Sequence, residues 1–553
     1  MTKWLNSNRL LSVVLLVCIG FFAYYIFNAL RWIPYPNSID YGEGFVMNYA
    51  KLWANGTWSW DINTPPYLTM VYGVGYSTLL YPFVKIFGYD LAVGRAASFV
   101  TALIACYLVY LIVTRLTGKK VYGLIAGLLP ATQPVFQDWS AMARVDMAAV
   151  MFSVLGFYIA LRFIKTRYLY FAVIPFLCAV MVKVTAIGGL GAVAIYLLIY
   201  ERKRVLPFVG LFIAGLMAMI TPLMIASGGE YWKHLILYQN TIQNISFPQF
   251  LALFPGWLYP FIALLVLALI YIRRCVGKKE YTLPMLFFVV ALAIDMVTTF
   301  RPGAGALYYM EAIFAGSICA VLGLSYVMVY IKRTKIKLNV VSVVLGLVAL
   351  VTVVLPLRYT AFPDRQYTNS VEVAQWIMSD SENPIITENP AMALNMGKDI
   401  YIEYFIFANM ARLGYWDETP YVDKYKQQYF DYVLLITPLK DRIKSEERGI
   451  PDGHFTHDAL QAIDENYSLC FVQLSSYWQY NMFLYEANDK LENDEREIVS
   501  DFKNLDSYPT WDGNGWVWVT KNVMPQGYFP MNGYDGLEKS DNFTIEISGY
   551  KEE

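Results

Sequence analysis

Histidine and charge are both scarce in this sequence. Three histidines, His234, His454 and His457, leave little room for histidine metal chemistry. Asp, Glu, Lys and Arg make up only 16% of the 553 residues, and the net charge is -1. No basic excess therefore points to a nucleic-acid partner. The cysteines Cys18, Cys106, Cys178, Cys275, Cys319 and Cys470 are scattered without a close pair, which argues against a disulfide framework or zinc spacing. Most of them lie in apolar runs, where Cys behaves as a small hydrophobe. Walker, dinucleotide-binding, zinc-protease and Gly-x-Ser-x-Gly signatures are absent. There is no internal repeat and no low-complexity linker.

Apolar residues are what the chain has in excess. They account for 57% of it, with a mean hydropathy of +0.39. That is too apolar for an ordinary soluble enzyme of this length. Runs of bilayer-crossing length fall at 10–30, 91–114, 121–137, 144–163, 168–184, 185–200, 205–226, 254–272, 281–300, 306–331 and 338–357, about eleven spans. The 168–200 stretch reads as a hairpin split near Gly188-Gly189. The first run is long for a signal-peptide core and no small-residue cleavage site follows, so it reads as an uncleaved span.

Basic clusters at Lys3/Arg9, Arg115/Lys119/Lys120, Arg162/Lys165/Arg167, Arg202/Lys203/Arg204, Arg273/Arg274/Lys278/Lys279 and Lys332/Arg333/Lys335/Lys337 sit at every second helix end. The positive-inside rule puts these in the cytoplasm together with the N-terminus. The outer face then carries loop 31–90, loop 227–253 and everything after Arg358. The expected architecture is an α-helical polytopic membrane protein, 1–358, followed by an extracytoplasmic mixed α/β domain, 359–553. In that tail Lys398 to Tyr404 and Phe430 to Ile436 read as strands, and Val371 to Met378 and Tyr421 to Gln428 as helices.

The first outer loop holds Asp40-Tyr41-Gly42-Glu43-Gly44. A carboxylate beside a membrane cavity can take a proton from an acceptor hydroxyl or amine. The structural alternative is an acid capping the helix that follows, since Glu43 to Ala54 has helical spacing and Gly56 stops it. A second amphipathic set, Tyr76 to Phe87, follows Pro65-Pro66; both helices are expected to lie along the membrane surface.

Ionisable groups within spans cost about 2.5–3.5 kcal/mol near the bilayer centre and therefore call for a partner or a task. Arg144 and Asp146 open the fourth span; two residues apart, they do not share a helix face. The alternative is a snorkelling arginine and an acid near a helix start. Asp138 nearby is expected to be exposed. Lys183, flanked by apolar residues, suits a phosphate as a point charge; the alternative is an ion pair with a neighbouring span's acid, such as Asp295. Arg301 is a second phosphate candidate, in a glycine-rich outer link. Glu311 is expected to be buried in the tenth span, and Arg95 is a lesser candidate of the same kind. Trp53, Trp58, Trp60, Tyr67 and Tyr72 fit sugar stacking or an interfacial aromatic belt. The sequons at Asn55, Asn244, Asn466 and Asn542 fall on the outer side.

The ordered set Asp40-Tyr-Gly-Glu-Gly, Pro65-Pro66-Tyr67, Ala143-Arg-Val-Asp-Met, Val182-Lys-Val-Thr-Ala and Gly303-Ala-Gly-Ala-Leu-Tyr-Tyr-Met-Glu resembles the GT-C membrane glycosyltransferases, with Thr387-Glu-Asn-Pro-Ala and Gly414-Tyr-Trp-Asp adding to it from the tail. Nearest in kind are the protein mannosyltransferases and the aminoarabinose transferase of lipid A. The resemblance covers most of residues 10–435. It implies inverting transfer of a sugar from a polyprenyl-phosphate donor to an extracytoplasmic protein, lipid or glycan acceptor at the plasma membrane.

By the same resemblance Glu43 or Asp40 is the base, Asp146 and Arg144 shape the donor or acceptor side, and Lys183 and Arg301 hold the phosphate. Relatives often show adjacent Asp-Glu, whereas here Gly42 precedes Glu43, so either acid fits. Some relatives use a divalent metal and others do not, and the sequence leaves this open. The competing expectation is a transporter or flippase for a lipid-linked or small anionic substrate. It would need neither the acid-bearing loop nor the large tail, and transporters tend to show internal repeats.

Overall fold

The computed structural model describes residues 2–242, 246–258, 261–301, 305–334, 371–372, 374–473, 481–492, 507–511 and 516–520. The expected span 338–357 and the sequons at Asn244 and Asn542 lie outside them. The chain divides into two units. The first comprises Met1–Pro36, Tyr49–Trp60 and Met70–Ala361; the second comprises Asn37–Asn48, Asp61–Thr69 and Phe362–Glu553. The expected division places the whole first outer loop, 31–90, with the membrane part, whereas Asn37–Asn48 and Asp61–Thr69 group with the C-terminal region.

Long apolar helices build the first unit. They are α1 (Thr2–Trp32), α4 (Leu91–Thr117), α7 (Asp146–Phe163), α10 (Arg202–Ala226) and the helix Met310–Thr334. At 1.5 Å per residue, the 27 residues of α4 reach about 40 Å, enough to cross a bilayer. Asp90 caps its start by accepting from the Ala92 N–H at 2.7 Å, and Gly118, with φ +69°, ends it. Five described stretches are long and apolar enough to span: Leu11–Trp32, Leu91–Thr117, Asp146–Phe163, Arg202–Ala226 and Ala306–Tyr330. Shorter apolar helices lie at Arg167–Val182, Gly188–Tyr200 and Leu283–Thr298. Leu206, Ile225 and Ile86 are each at least 71% exposed, a surface suited to lipid rather than water.

Shorter elements of this unit include α2 (Tyr41–Asn55), counted in part with the second unit, α3 (Gly75–Phe87), α5 (Lys120–Leu128), α6 (Pro134–Trp139), α8 (Val173–Val182) and α9 (Gly188–Tyr200). The 168–200 stretch is broken at 183–187, and α9 starts at Gly188, at the glycine pair where the split was expected. Asp138 is not exposed as expected. It is half-buried in α6, and its Oδ1 has no hydrogen-bond partner among the described residues.

The second unit has a four-stranded sheet of order β1-β2-β4-β3, from Ile386–Thr387, Tyr432–Leu435, Tyr467–Gln473 and Met482–Ala487. β1 and β2 run parallel and the other pairs antiparallel. Helices Tyr404–Arg412, Thr419–Lys426 and His457–Asn466 bury their apolar faces in this unit. The strand expected over Lys398 to Tyr404 is reduced to a single bridge, Ile402 to Tyr67. Its partner is the short loop stretch before Thr69 rather than a full strand: the Tyr67 N–H donates to the Tyr401 carbonyl at 2.8 Å and the Glu403 N–H to the Tyr67 carbonyl at 2.9 Å. Tyr67 then packs on Trp416 and Phe407, at ring distances of 5.0 and 5.9 Å.

Candidate active site

In the first unit, α7 begins at the end where α8 stops. Asp146 is in the first turn of α7 and Lys183 follows the last residue of α8, so an acid meets the positive end of one helix and a lysine the negative end of the other. Their charges join at 2.7 Å, with side-chain exposures of only 5% and 14%. Lys183 thus pairs with a neighbouring span's acid, as one reading of the sequence held, but the acid is Asp146 rather than Asp295. Asp295 instead accepts from the Ala312 N–H at 3.2 Å.

Arg144 joins the cluster, with Nε 4.0 Å from Asp146. Helical spacing alone would separate positions 144 and 146, but Arg144 lies in the turn before α7, so the helix rule does not govern it. Its guanidinium donates to the Tyr72 hydroxyl at 3.1 Å and lies over the Tyr72 and Trp139 rings at 5.9 and 5.8 Å. Tyr72 gets there because Gly73 and Gly75 let its loop lie on the end of α8. A Cβ on Gly75 would stand 2.7 Å from the Met181 carbonyl oxygen, and one on Gly73 would overlap that oxygen. Burial pushes the Tyr72 phenol up to about 12, against the pull of Arg144 and Lys183, so it stays protonated. Lys183 also lies 4.4 Å from the centre of the Tyr308 ring. Tyr308 was not a candidate from sequence, although it falls in the Gly303 to Glu311 segment that carried the resemblance.

The other candidate cations of this unit have partners of their own. Arg301 is exposed and donates to Asn240 Oδ1 at 2.9 Å. Arg95 is fully buried and donates to the Trp32 carbonyl at 2.9 Å and to that of Tyr35, near the end of α1. Glu311 is buried as expected and caps α9, accepting from the N–H groups of Gly188 and Gly189 at 3.3 and 3.0 Å and from Ser153 Oγ at 2.5 Å.

Asp40 and Glu43 belong to the second unit. Asp40 Oδ1 accepts from the Gly42 N–H at 3.0 Å, and Glu43 Oε2 accepts from the Ile39 N–H at 2.8 Å. This is a capping-box arrangement displaced by one residue. Glu43 is 0% exposed and Asp40 half-buried. Both acids thus accept a backbone N–H of their own turn.

Glu388, in the tail motif, is also fully buried. It accepts from Arg442 at 2.6 and 2.8 Å, from the Ile436 N–H at 2.6 Å, and contacts His454 Nδ1. Burial opposes its charge, but Arg442 and His454 outweigh burial and hold the carboxyl at about 2. Sequence reasoning noted the motif but not this residue; an acid between two apolar stretches with a distant arginine carries no local signal.

Among the described residues no group of three or more His, Cys, Asp and Glu side chains could hold a metal ion.

The first unit is built of long apolar helices around a buried Lys–Asp–Arg cluster, and the second is an α/β unit. A family model described as dolichyl-phosphate-mannose-protein mannosyltransferase matches residues 75–225, the stretch holding Tyr72's neighbours, Arg144, Asp146 and Lys183. ArnT from Cupriavidus metallidurans bound to undecaprenyl phosphate is similar in structure at 11% identity, TM-score 0.57, over 84% of this chain and 97% of that one. The archaeal oligosaccharyltransferase AglB from Archaeoglobus fulgidus, in complex with an inhibitory peptide and a dolichol-phosphate, is similar at 12% identity, TM-score 0.50, over 88% and 74%. Comparison with curated proteins finds no match. The chain has the fold of the GT-C superfamily of multi-pass membrane glycosyltransferases, and the resemblance read from its sequence is borne out.

Proposed function

We propose that the chain is an inverting glycosyltransferase of the plasma membrane that takes its sugar from a polyprenyl-phosphate carrier. The observation that carries the reading is the buried Lys183–Asp146–Arg144–Tyr72 cluster within a GT-C fold. Support for the donor class comes from the relatives: the ArnT structure holds undecaprenyl phosphate and the AglB structure a dolichol-phosphate.

Lys183 and Arg301 meet the donor phosphate, and Arg144 and Asp146 shape the donor or acceptor side. Asp40 or Glu43 takes the proton from the acceptor hydroxyl or amine. The acceptor attacks the anomeric carbon, the bond from that carbon to the phosphate oxygen breaks, and the lipid phosphate leaves with the electron pair, stabilised by the cations. No step is assigned to a metal. The acceptor is an extracytoplasmic protein, lipid or glycan. The proposed topology has about eleven spans, a cytoplasmic N-terminus and an outer C-terminal domain; chemistry on the outer face, away from nucleotide sugars, suits a lipid carrier.

Asp40→Asn and Glu43→Gln, assayed singly for glycan transfer in membranes, test the base. One of them is expected to abolish transfer. Full activity in both removes the loop acids from the chemistry.

A further inference from the structure

The acid-bearing turn does not stand alone. Gly44, in the first turn of α2, lies so close to the start of the helix Pro390–Asn395 that a Cβ would stand 2.8 Å from the Pro390 carbonyl carbon and 2.9 Å from its Cβ, and would overlap the Ala391 nitrogen. Two of these three atoms are backbone, so the neighbour cannot swing aside. One residue earlier in that segment, Asn389 Oδ1 accepts from the Ser38 hydroxyl at 2.7 Å. The Asn389 backbone is itself clamped: its N–H donates to Thr387 Oγ1 at 2.9 Å, and the Thr387 hydroxyl donates back to its carbonyl at 3.2 Å. Phe45 meets Tyr404 edge-on at 5.7 Å, and the Tyr404 hydroxyl donates to the Glu388 carbonyl at 2.9 Å. Glu388 is locked to Arg442, which also holds Asp452 through both carboxylate oxygens at 3.0 Å.

Ser38, Gly44 and Phe45 thus bracket Asp40 and Glu43 on both sides in sequence, and all three rest on the segment Thr387–Ala391 or on the helix beside it. The capping bonds fix the acids relative to their own turn. The tail segment fixes the turn itself.

We propose that Thr387–Ala391 is a positioning element for the catalytic acid, acting through the Asn389 side chain and the Pro390–Ala391 backbone. The tail is then part of the catalytic apparatus, since it sets where the base stands. This rests on the glycosyltransferase reading. A carboxylate misplaced by about 1 Å costs on the order of a hundredfold in rate while substrate binding is largely kept. Loss of one neutral hydrogen bond behind it corresponds to about a tenfold change at most.

The test uses the full-length protein in lipid nanodiscs and compares Ser38→Ala, Ser38→Thr, Asn389→Ala and Gly44→Ala. Gly44→Ala is expected to lower kcat tenfold or more, with the KM for the polyprenyl-phosphate sugar within about twofold, and to move the acid limb of the kcat–pH profile. Ser38→Ala and Asn389→Ala should do the same more weakly, and Ser38→Thr should restore the rate by returning the hydroxyl. Hydrogen exchange at the Ile39, Gly42 and Glu43 amides should speed up in Gly44→Ala and Asn389→Ala, which shows that the turn has moved whatever the activity.

Wild-type transfer by both Asp40→Asn and Glu43→Gln would sink the functional reading and the positioning claim with it. Inactive acid variants beside a Gly44→Ala enzyme with unchanged kcat and pH profile would leave that reading standing and overturn the positioning claim alone. Faster exchange without any kinetic change would do the same.

Discussion

At the residue scale the account turns on Lys183. Its ammonium and the Asp146 carboxylate are both largely removed from solvent. Removing one partner leaves an uncompensated charge, which costs about 3–5 kcal/mol, whereas replacing both with neutral groups of similar volume is often near neutral. Lys183→Met and Asp146→Asn should each lower the unfolding midpoint sharply, and the double variant should recover most of the loss while staying inactive. A double variant with near wild-type transfer would mean that the pair serves stability alone.

His234 gives a second residue-scale test. It is fully buried, its Nδ1 accepts from the Met70 N–H at 3.1 Å, and its Nε2 lies 2.9 Å from the Trp60 carbonyl, which requires the neutral ring with the proton on Nε2. Burial lowers its pKa below the ordinary 6.5; Lys233 adds to this, and the Trp60 carbonyl and Glu230 oppose it. The unfolded chain therefore takes up the proton first. This contribution to stability is complete above about pH 6.5 and fades as pH falls below that value. The unfolding midpoint should fall between pH 7 and 5, and His234→Gln should flatten that fall. An equal slope in both proteins would contradict the assignment.

At the scale of elements, glycines and helix ends do the positioning. Glu311 serves three donors at once: the Gly188 and Gly189 N–H groups and the Ser153 hydroxyl. Glu311→Ala should cost about 1–3 kcal/mol by leaving buried donors unmet, read as a lower midpoint in thermal unfolding. Unchanged stability would remove the capping role.

The helices themselves were legible in the sequence. Apolar runs found α1, α4, α7 and α10, Gly56 marked the end of α2, and the Tyr76 to Phe87 pattern found α3. Other features escaped it because they depend on pairings distant in sequence. Lys183 chose Asp146 rather than Asp295 because α7 and α8 meet at one end. Asp138 is half-buried in α6, most of whose residues are buried, which its neighbours in sequence do not reveal. The anchoring of Glu388 by Arg442 spans 54 positions. Hydrophobic period reads one element at a time, so it names the charged residues of interest without naming their partners.

At the scale of the whole molecule, the chain combines a unit of long apolar helices with an α/β unit, and the family match at 75–225 falls on the helices that carry the cation cluster. The basic loops predict a cytoplasmic N-terminus and an outer tail. A single reactive cysteine introduced at the exposed Ile450 should label with a membrane-impermeant reagent from outside intact cells, and labelling only after lysis would reverse the topology.

The claim on which all else depends is that a sugar leaves a lipid phosphate in this protein, with Lys183 holding the phosphate. Purified protein in nanodiscs, given a polyprenyl-phosphate carrying a labelled sugar and isolated cell-envelope lipids and proteins as acceptor, measures it directly. The account predicts label on the acceptor, free polyprenyl phosphate in equal amount, and a loss of about a hundredfold or more in a folded Lys183→Met/Asp146→Asn protein. Label that stays on its carrier with the wild-type protein, or moves equally well with the double variant, would contradict it.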